Sequence, residues 1–239
     1  MDKGAVPGED RRVVPVFVPG AAGPRDLKEM ELTKPDLVVV GFSGNALDAL
    51  SAIEASFRVV AFLDDNAGLH GRDFEGVPVL PVAALGRFPE ARVLCLIGSE
   101  RSYRHRAAII GRLGLPEARF ATVVHPRAEV SRLARIGAGS VLLAGAQVVS
   151  NGVVGRHVIV LPQSVVHHDS EVGDFTLVGT GVIVAGHVRV GPGCYLGSGS
   201  RLKNGVTVGE GALVGMGANV LRDVPPGATV VGNPARVLR

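Results

Sequence analysis

"VGTGVIVAGHVRVGPGCYLGSGSRL", Val178 to Leu202, carries an aliphatic residue at every sixth position: Val178, Val184, Val190, Leu196 and Leu202. The same frame runs back to Ile136 and forward to Val220 without a break. Two positions before each aliphatic residue lies a small or β-branched one, such as Val158, Ser164, Ser170, Thr176, Cys194 or Ala212. Three positions after it come Gly139, Gly145, Asn151, Asp169, Gly181, Gly193, Gly199, Gly205, Gly211 and Gly217. These are residue types that tolerate the positive φ of a tight corner. A helix would repeat at 3.6 and a simple strand at two, so a period of six predicts a short strand and a corner, repeated. With three sides per turn the chain becomes a triangular prism of 18-residue coils, about five of them between residues 130 and 221, stacked at roughly the 4.8 Å strand spacing.

Composition agrees with a narrow interior. Of 239 residues 33 are Gly, aromatics make up only 4% and Trp is absent, so Val, Leu, Ile and Ala must fill the core. The formal charge of +3 comes without the Lys/Arg runs of a nucleic-acid surface, although phosphate-bearing small molecules remain compatible with it. Cys95 and Cys194 lie far apart with no CxxC, which indicates neither a disulfide framework nor a thiolate zinc site. They read as small buried hydrophobes in a reducing compartment. No apolar signal core follows the start, and no run reaches the ~18 apolar residues of a membrane span. The expectation is a soluble, cytoplasmic protein with neither a membrane nor a nucleic-acid partner.

The first half has a different rhythm. Residues 1–35 hold Pro15, Pro19, Pro24 and Pro35 with little periodicity and read as an arm. From Asp36 an apolar strand, a short Gly loop and a helix ("DLVVVGFSGNALDALSAIEA") lead to the strand "FRVVAFLDD", which ends on Asp64 and Asp65. "GVPVL", "RVLCLIGS", a helical stretch near Tyr103 to Leu113, and "FATVVHP" follow. Alternating strands and helices predict a small parallel α/β domain over residues 36–122, before the coil at 123–223 and a tail at 224–239. Gly41, Ser43 and Gly44 stand at the carboxyl end of the first strand, where backbone N–H groups attract phosphate, and Gly98 ends a later strand in the same way.

Repeat and tail together ("VPPGATVVGNPARVLR", Val224 to Arg239) resemble the hexapeptide-repeat acyltransferases. That resemblance implies a left-handed parallel β-helix, although right-handed crossovers are the general rule. A Rossmann-like unit carrying "GFSGN" and "FLDD" before the coil resembles the subgroup of nucleotide-sugar N-acetyltransferases and sialic acid O-acetyltransferases. By that likeness Gly41, Ser43, Gly44, Asn45 and Gly98 would lie near a nucleotide sugar, with Asp64 and Asp65 on its base or ribose. The family loop often reads G-x-S-G-H-G, from which Asn45 and Ala46 depart.

"HHDSEVGD", His167 to Asp174, falls at a corner of the coil, so His168 and Asp169 face outward. The stretch resembles the family's active site, which implies His168 as general base and Asp169 as its orienting carboxylate. An imidazole with a pKa near neutrality suits proton removal from an attacking amine or hydroxyl. Coil arithmetic puts Gly186 beside His168 and His187 beside Asp169. By resemblance the Gly186 amide would bind the oxyanion. Three chains would pack side by side, with acetyl-CoA between neighbouring coils near Leu177, Gly186, Ser198 and Met216; many members carry a second His at the position of Leu177. Cys194, Ser164 and Ser170 fall on inward positions, so no covalent acyl-enzyme is expected. His157 and His125 read as a corner residue and a cap at the entry to the coil.

The leading expectation is an acetyl-CoA-dependent N-acetyltransferase of a nucleotide-linked amino sugar, without a metal. Acetylation of a hydroxyl, as in the sialic acid enzymes, remains open. A γ-type carbonic anhydrase shares the prism but needs separated histidines, whereas His167 and His168 are adjacent. A non-catalytic solenoid would release no thiol from acetyl-CoA.

Overall fold

The six-residue frame closes into a three-sided coil in the computed structural model, which describes residues 34–238. All but the last two residues of the expected arm lie outside the described residues. Each two-residue rung pairs in parallel with the rung eighteen residues on, as in Gln147↔Val165, Val165↔Ile183 and Ile183↔Arg201. Three sheets result. The first side starts at Val123–Val124, the second at Glu129–Val130 and the third at Arg135–Ile136.

Every sixth residue from Gly139 to Gly217 has a positive φ, as a corner between flat sides requires. Four of these positions are filled by His157, Gln163, Phe175 and His187, of which glutamine and phenylalanine are types that adopt this conformation less readily. The aliphatic series, Ile136 through Val220, forms one continuous buried core. The inward small positions do more than leave room. Ser164 Oγ accepts from Val182 N (3.1 Å) and donates to Gly179 O (2.6 Å), and Ser140 and Ser170 repeat the pattern. A buried hydroxyl is thereby satisfied in both directions, which removes the cost of about 1–3 kcal/mol that an unpaired one would carry. Cys194 sits in the same series, its thiol pushed up to about 11 by burial, so it is not a nucleophile.

The prism runs past residue 223, where the sequence period stops. Thr229–Val231 joins the first side beside Leu213–Val214, with Val214 opposite Val230. The offset there is sixteen residues instead of eighteen, because the corner at Leu221–Asp223 is two residues short. Val224 and Val230 therefore still fall in the core.

Ahead of the coil, β1 (Asp36–Val40), β2 (Arg58–Leu63), β3 (Asp73–Phe74), β4 (Val77–Leu80) and β5 (Arg92–Cys95) form a sheet in the order β3-β4-β2-β1-β5. It is parallel except for β3, a two-residue edge strand that turns back on β4. The helical stretch after β1 divides at Ala49 into α1 (Gly44–Asp48) and α2 (Leu50–Glu54). Their Ala46, Ala52 and Ile53 pack between the sheet and outward residues of the coil's first side, including Val141, Ile159 and Leu177. Among the described residues the α/β layer thus covers the first side of the prism and does not cover the second or third.

One buried cation ties the two parts together. Arg106, the first residue of α3 (Arg106–Gly111), is completely buried. Its guanidinium donates to Phe175 O (3.1 Å), His157 O (2.5 Å) and the carbonyl of Ile97 beyond β5. Burial lowers its pKa to about 10, so it remains charged at neutral pH. His157 lies against it, stacked on Phe175 (5.3 Å) and edge-on to Phe120 (4.5 Å). The corner position expected for His157 is correct, but its ring is buried. His125 Nδ1 accepts from Arg127 N (2.9 Å), capping the turn into the coil.

Candidate active site

His168 and Asp169 stand at the corner between the second and third sides. His168 Nδ1 lies 2.9 Å from Asp169 Oδ2, and the other carboxylate oxygen accepts from Asn151 Nδ2 (3.0 Å) one coil earlier. These two hydrogen bonds, Asn151's first, hold the Asp169 carboxyl below the usual carboxylate range. An ionised Asp169 on Nδ1 keeps the proton there and leaves Nε2 free to accept one, the tautomer a general base needs.

Nε2 points over Gly186. A Cβ built on Gly186 would come within 2.7 Å of His168 Cε1 and Nε2, and within 3.1 Å of Asn204 Nδ2. The missing side chain is what gives the imidazole its place. Among the described residues the Gly186 N–H has no hydrogen-bond acceptor, so it is available to an external oxygen. His187 closes the far side, its ring perpendicular to that of His168 at 5.1 Å, and His167 lies at 4.9 Å.

His168, Asp169 and His187 bring ligand-capable atoms within 4.8 Å of one another. Both Asp169 oxygens are already engaged by Asn151 and His168. Among the described residues this cluster offers two histidines and one carboxylate, with His168 Nδ1 on Asp169.

The residues of the loops after β1 and β5 gather elsewhere. Gly41 has φ +96° and a Cβ there would strike Ile97 Cγ1 at 2.6 Å, so the loop after β1 can close on the end of β5 only with glycine. Asn45 Nδ2 donates to Gly98 O (2.8 Å), bridging the two loops, while Ser43 and Gly44 are exposed beside it. The chain connections run in opposite senses from β1 and β5, and the crevice outside such a pair of carboxyl ends is where open α/β sheets bind ligands. Here it is a cavity of about 250 Å³ between Asn45, Gly98, Ser99 and Glu100 above and Ile159, Leu161, Leu177 and Tyr195 of the coil below. A larger groove, about 690 Å³, lies by Lys34, Phe57 and Arg58 at the opposite, amino end of β2.

Asp64 uses both carboxylate oxygens within the chain, accepting from Phe42 N (2.9 Å) and Asn66 N (2.8 Å), so it shapes the loop after β1. Asp65 is exposed and accepts from Val82 N (3.3 Å).

Leu177 requires a correction. Its resemblance-based place in a donor groove does not hold, because it is buried on the first side, against Gly98 and away from the corner of Gly186. Ser198 and Met216 occupy the corner between the first and second sides, Met216 being 82% exposed. In a triangular prism the corner of His168 lies opposite the first side, on which the α/β layer sits. One chain therefore does not bring its own cavity and its own His168 together.

Sequence reasoning missed Asn151, Asn204, Tyr195 and Arg106. The two asparagines were within reach: Asn151 lies eighteen residues before Asp169 and Asn204 thirty-six after His168. Arg106 had no local signal, since its partners come from two distant corners.

Among the described residues no helix is long and apolar enough to cross a membrane. Residues 169–204 match the family model "Bacterial transferase hexapeptide (six repeats)". A sequence comparison with curated proteins returns no match. Among solved structures, PerB from Caulobacter crescentus, in complex with CoA and GDP-perosamine, aligns at 29% identity and TM-score 0.76 over 85% of this chain and 97% of its own. WeeI from Acinetobacter baumannii AYE aligns at 28% and 0.74, over 86% of this chain and 100% of its own. The acetyltransferase domain of PglB from Neisseria gonorrhoeae FA1090 aligns at 31% and 0.75, over 86% of this chain and 100% of that domain. By this likeness, along almost its whole described length, the chain belongs to the hexapeptide-repeat acetyltransferases, in the subgroup of the nucleotide-sugar N-acetyltransferases and sialic acid O-acetyltransferases, and is an acyltransferase.

Proposed function

We propose that this protein transfers the acetyl group of acetyl-CoA to the amino group of a nucleotide-linked amino sugar. His168, poised on Asp169 with Nε2 free over Gly186, is the observation that carries the reading. The amine attacks the thioester carbonyl and His168 Nε2 takes its proton. The C–S bond then breaks and the departing thiolate receives that proton. The unengaged Gly186 N–H stabilises the oxyanion in between. PerB and the PglB domain, whose structures contain CoA with GDP-perosamine and acetyl-CoA respectively, support both substrates.

On this reading the coil is left-handed and residues 36–122 are a Rossmann-like acceptor domain. Gly41, Ser43, Gly44, Asn45 and Gly98 shape the site of the nucleotide sugar, with Asp65 at its edge. The second side of the prism exposes Ile183 between Glu129 and Arg201, with Met216 and Leu221 at its two corners, and the third presents Arg135, Glu171 and Arg189. A homotrimer packed through the second side would set His168 of one chain in a cleft with its neighbour, near Ser198 and Met216 as donor contacts. The separation of base and cavity within one chain supports that assembly. Free buried cysteines fit a cytoplasmic site for the reaction.

The test is thiol release from acetyl-CoA in the presence of UDP-, GDP- and dTDP-linked 4-amino sugars, with the product analysed by mass spectrometry and the assembly by light scattering. N-acetylated nucleotide sugar from a three-chain particle is expected. Transfer only to hydroxyl-bearing sugars, or no thiol release with any of them, would overturn it.

A further inference from the structure

We propose that Asn204 is a second oxyanion donor, contributing its side-chain N–H beside the backbone N–H of Gly186. The inference rests on the acetyltransferase reading and deepens it. His168, Gly186 and Asn204 occupy one column of the coil, eighteen residues apart, on three successive turns. The central member has no side chain. The column therefore contains a notch one residue deep, with the imidazole leaning over it from one side and the carboxamide from the other. A Cβ on Gly186 would lie inside that notch, 2.7 Å from His168 Nε2 and 3.1 Å from Asn204 Nδ2, so the two side chains wall it closely.

Two polar groups in the notch lack an internal partner. Neither the Gly186 N–H nor the Asn204 carboxamide makes a hydrogen bond among the described residues. Asn204 is exposed, with its Nδ2 turned toward Gly186. The notch itself has no room for an added carbon, so a thioester carbon would sit at its mouth beside Nε2, with its oxygen directed toward the two N–H donors. As the new C–N bond forms, the carbonyl oxygen gains a full negative charge. The C–S bond breaks as that charge returns to the carbonyl. A neutral donor aimed at the developing oxyanion stabilises the transition state more than the ground state, and losing one such side-chain donor commonly costs ~10²–10³ in kcat. An asparagine suits the place because it adds no charge that would perturb His168.

The experiment compares the unmodified protein, Asn204→Ala, Asn204→Asp and His168→Ala, using acetyl-CoA and the nucleotide 4-amino sugar turned over fastest in the panel above. Melting temperature and particle mass serve as controls for folding. The expected result for Asn204→Ala is a loss of ~10²-fold in kcat with KM for both substrates within a few-fold. Asn204→Asp, which replaces a donor by an anion, should lose at least as much. A kcat within two-fold of the unmodified protein, or a rise in the sugar's KM with kcat unchanged, would overturn the assignment while His168→Ala remains inactive. No turnover by the unmodified protein, or full activity of His168→Ala, would overturn the acetyltransferase reading and this inference with it.

Discussion

Replacing Gly186 by Ala inserts a methyl group where the imidazole of His168 already lies. The new carbon would stand 2.7 Å from His168 Cε1 and Nε2, against the 3.4 Å at which ordinary contact begins. The ring must retreat by about 0.7 Å or rotate off Asp169, since carbon and nitrogen atoms repel steeply inside contact distance. Either movement displaces Nε2 from its line to the incoming amine, and a misplacement of about 1 Å can cost ~10²-fold. The φ of Gly186 lies outside the left-handed region, so alanine fits the backbone and the fold should not suffer. Steady-state assay of Gly186→Ala should therefore show kcat reduced ~30- to 100-fold with a melting temperature within ~2 °C of the parent. A kcat within three-fold would refute the reasoning, because it would mean that His168 does not need the position the structure gives it.

Other perturbations separate the roles of neighbouring residues. Arg106→Met leaves three carbonyl oxygens without their shared donor, and urea unfolding should report a loss of about 3–5 kcal/mol; a loss below ~1 kcal/mol would show the cation is dispensable. Burial, with Arg106 next, lowers the pKa of His157 to about 4 from 6.5. The folded state thus binds fewer protons than the unfolded one between those values. Stability should be whole above pH 6.5 and fall by about 3 kcal/mol as pH drops to 4. Melts of the parent and of His157→Asn across that range should show the variant with the shallower slope, and equal slopes would contradict the assignment. For Asn151→Ala, a carbon-13 NMR titration should find the Asp169 carboxyl risen toward the ordinary value of ~3.9, and an unmoved value would deny Asn151 its leading part.

Much of the coil was legible because its determinants are local and repeated. Val166, Val172 and Val184 can be interior only if the chain turns every six residues, and Asp169 or Gly181 can be corners because they tolerate a positive φ. The frame then placed Gly186 beside His168 before any contact was seen. It failed at Leu221–Asp223, where two missing residues shift Val224 and Val230 out of phase while their side chains still reach the core. Local signals also could not show where the α/β layer would sit. Leu177 reads as one more outward aliphatic residue, and only the docking of Gly98 and Arg106 against the first side explains its burial. For the same reason the sequence does not show that the Gly41 loop and His168 face away from each other within a single chain.

The central claim is that His168 removes the proton from the acceptor amine, and the most direct measurement is kcat of His168→Ala with saturating acetyl-CoA and nucleotide amino sugar. Loss of a general base predicts a fall of ~10²–10⁴ with the particle still folded and both substrates still bound. A rate within a few-fold of the parent's would mean that another group, or water, takes that proton.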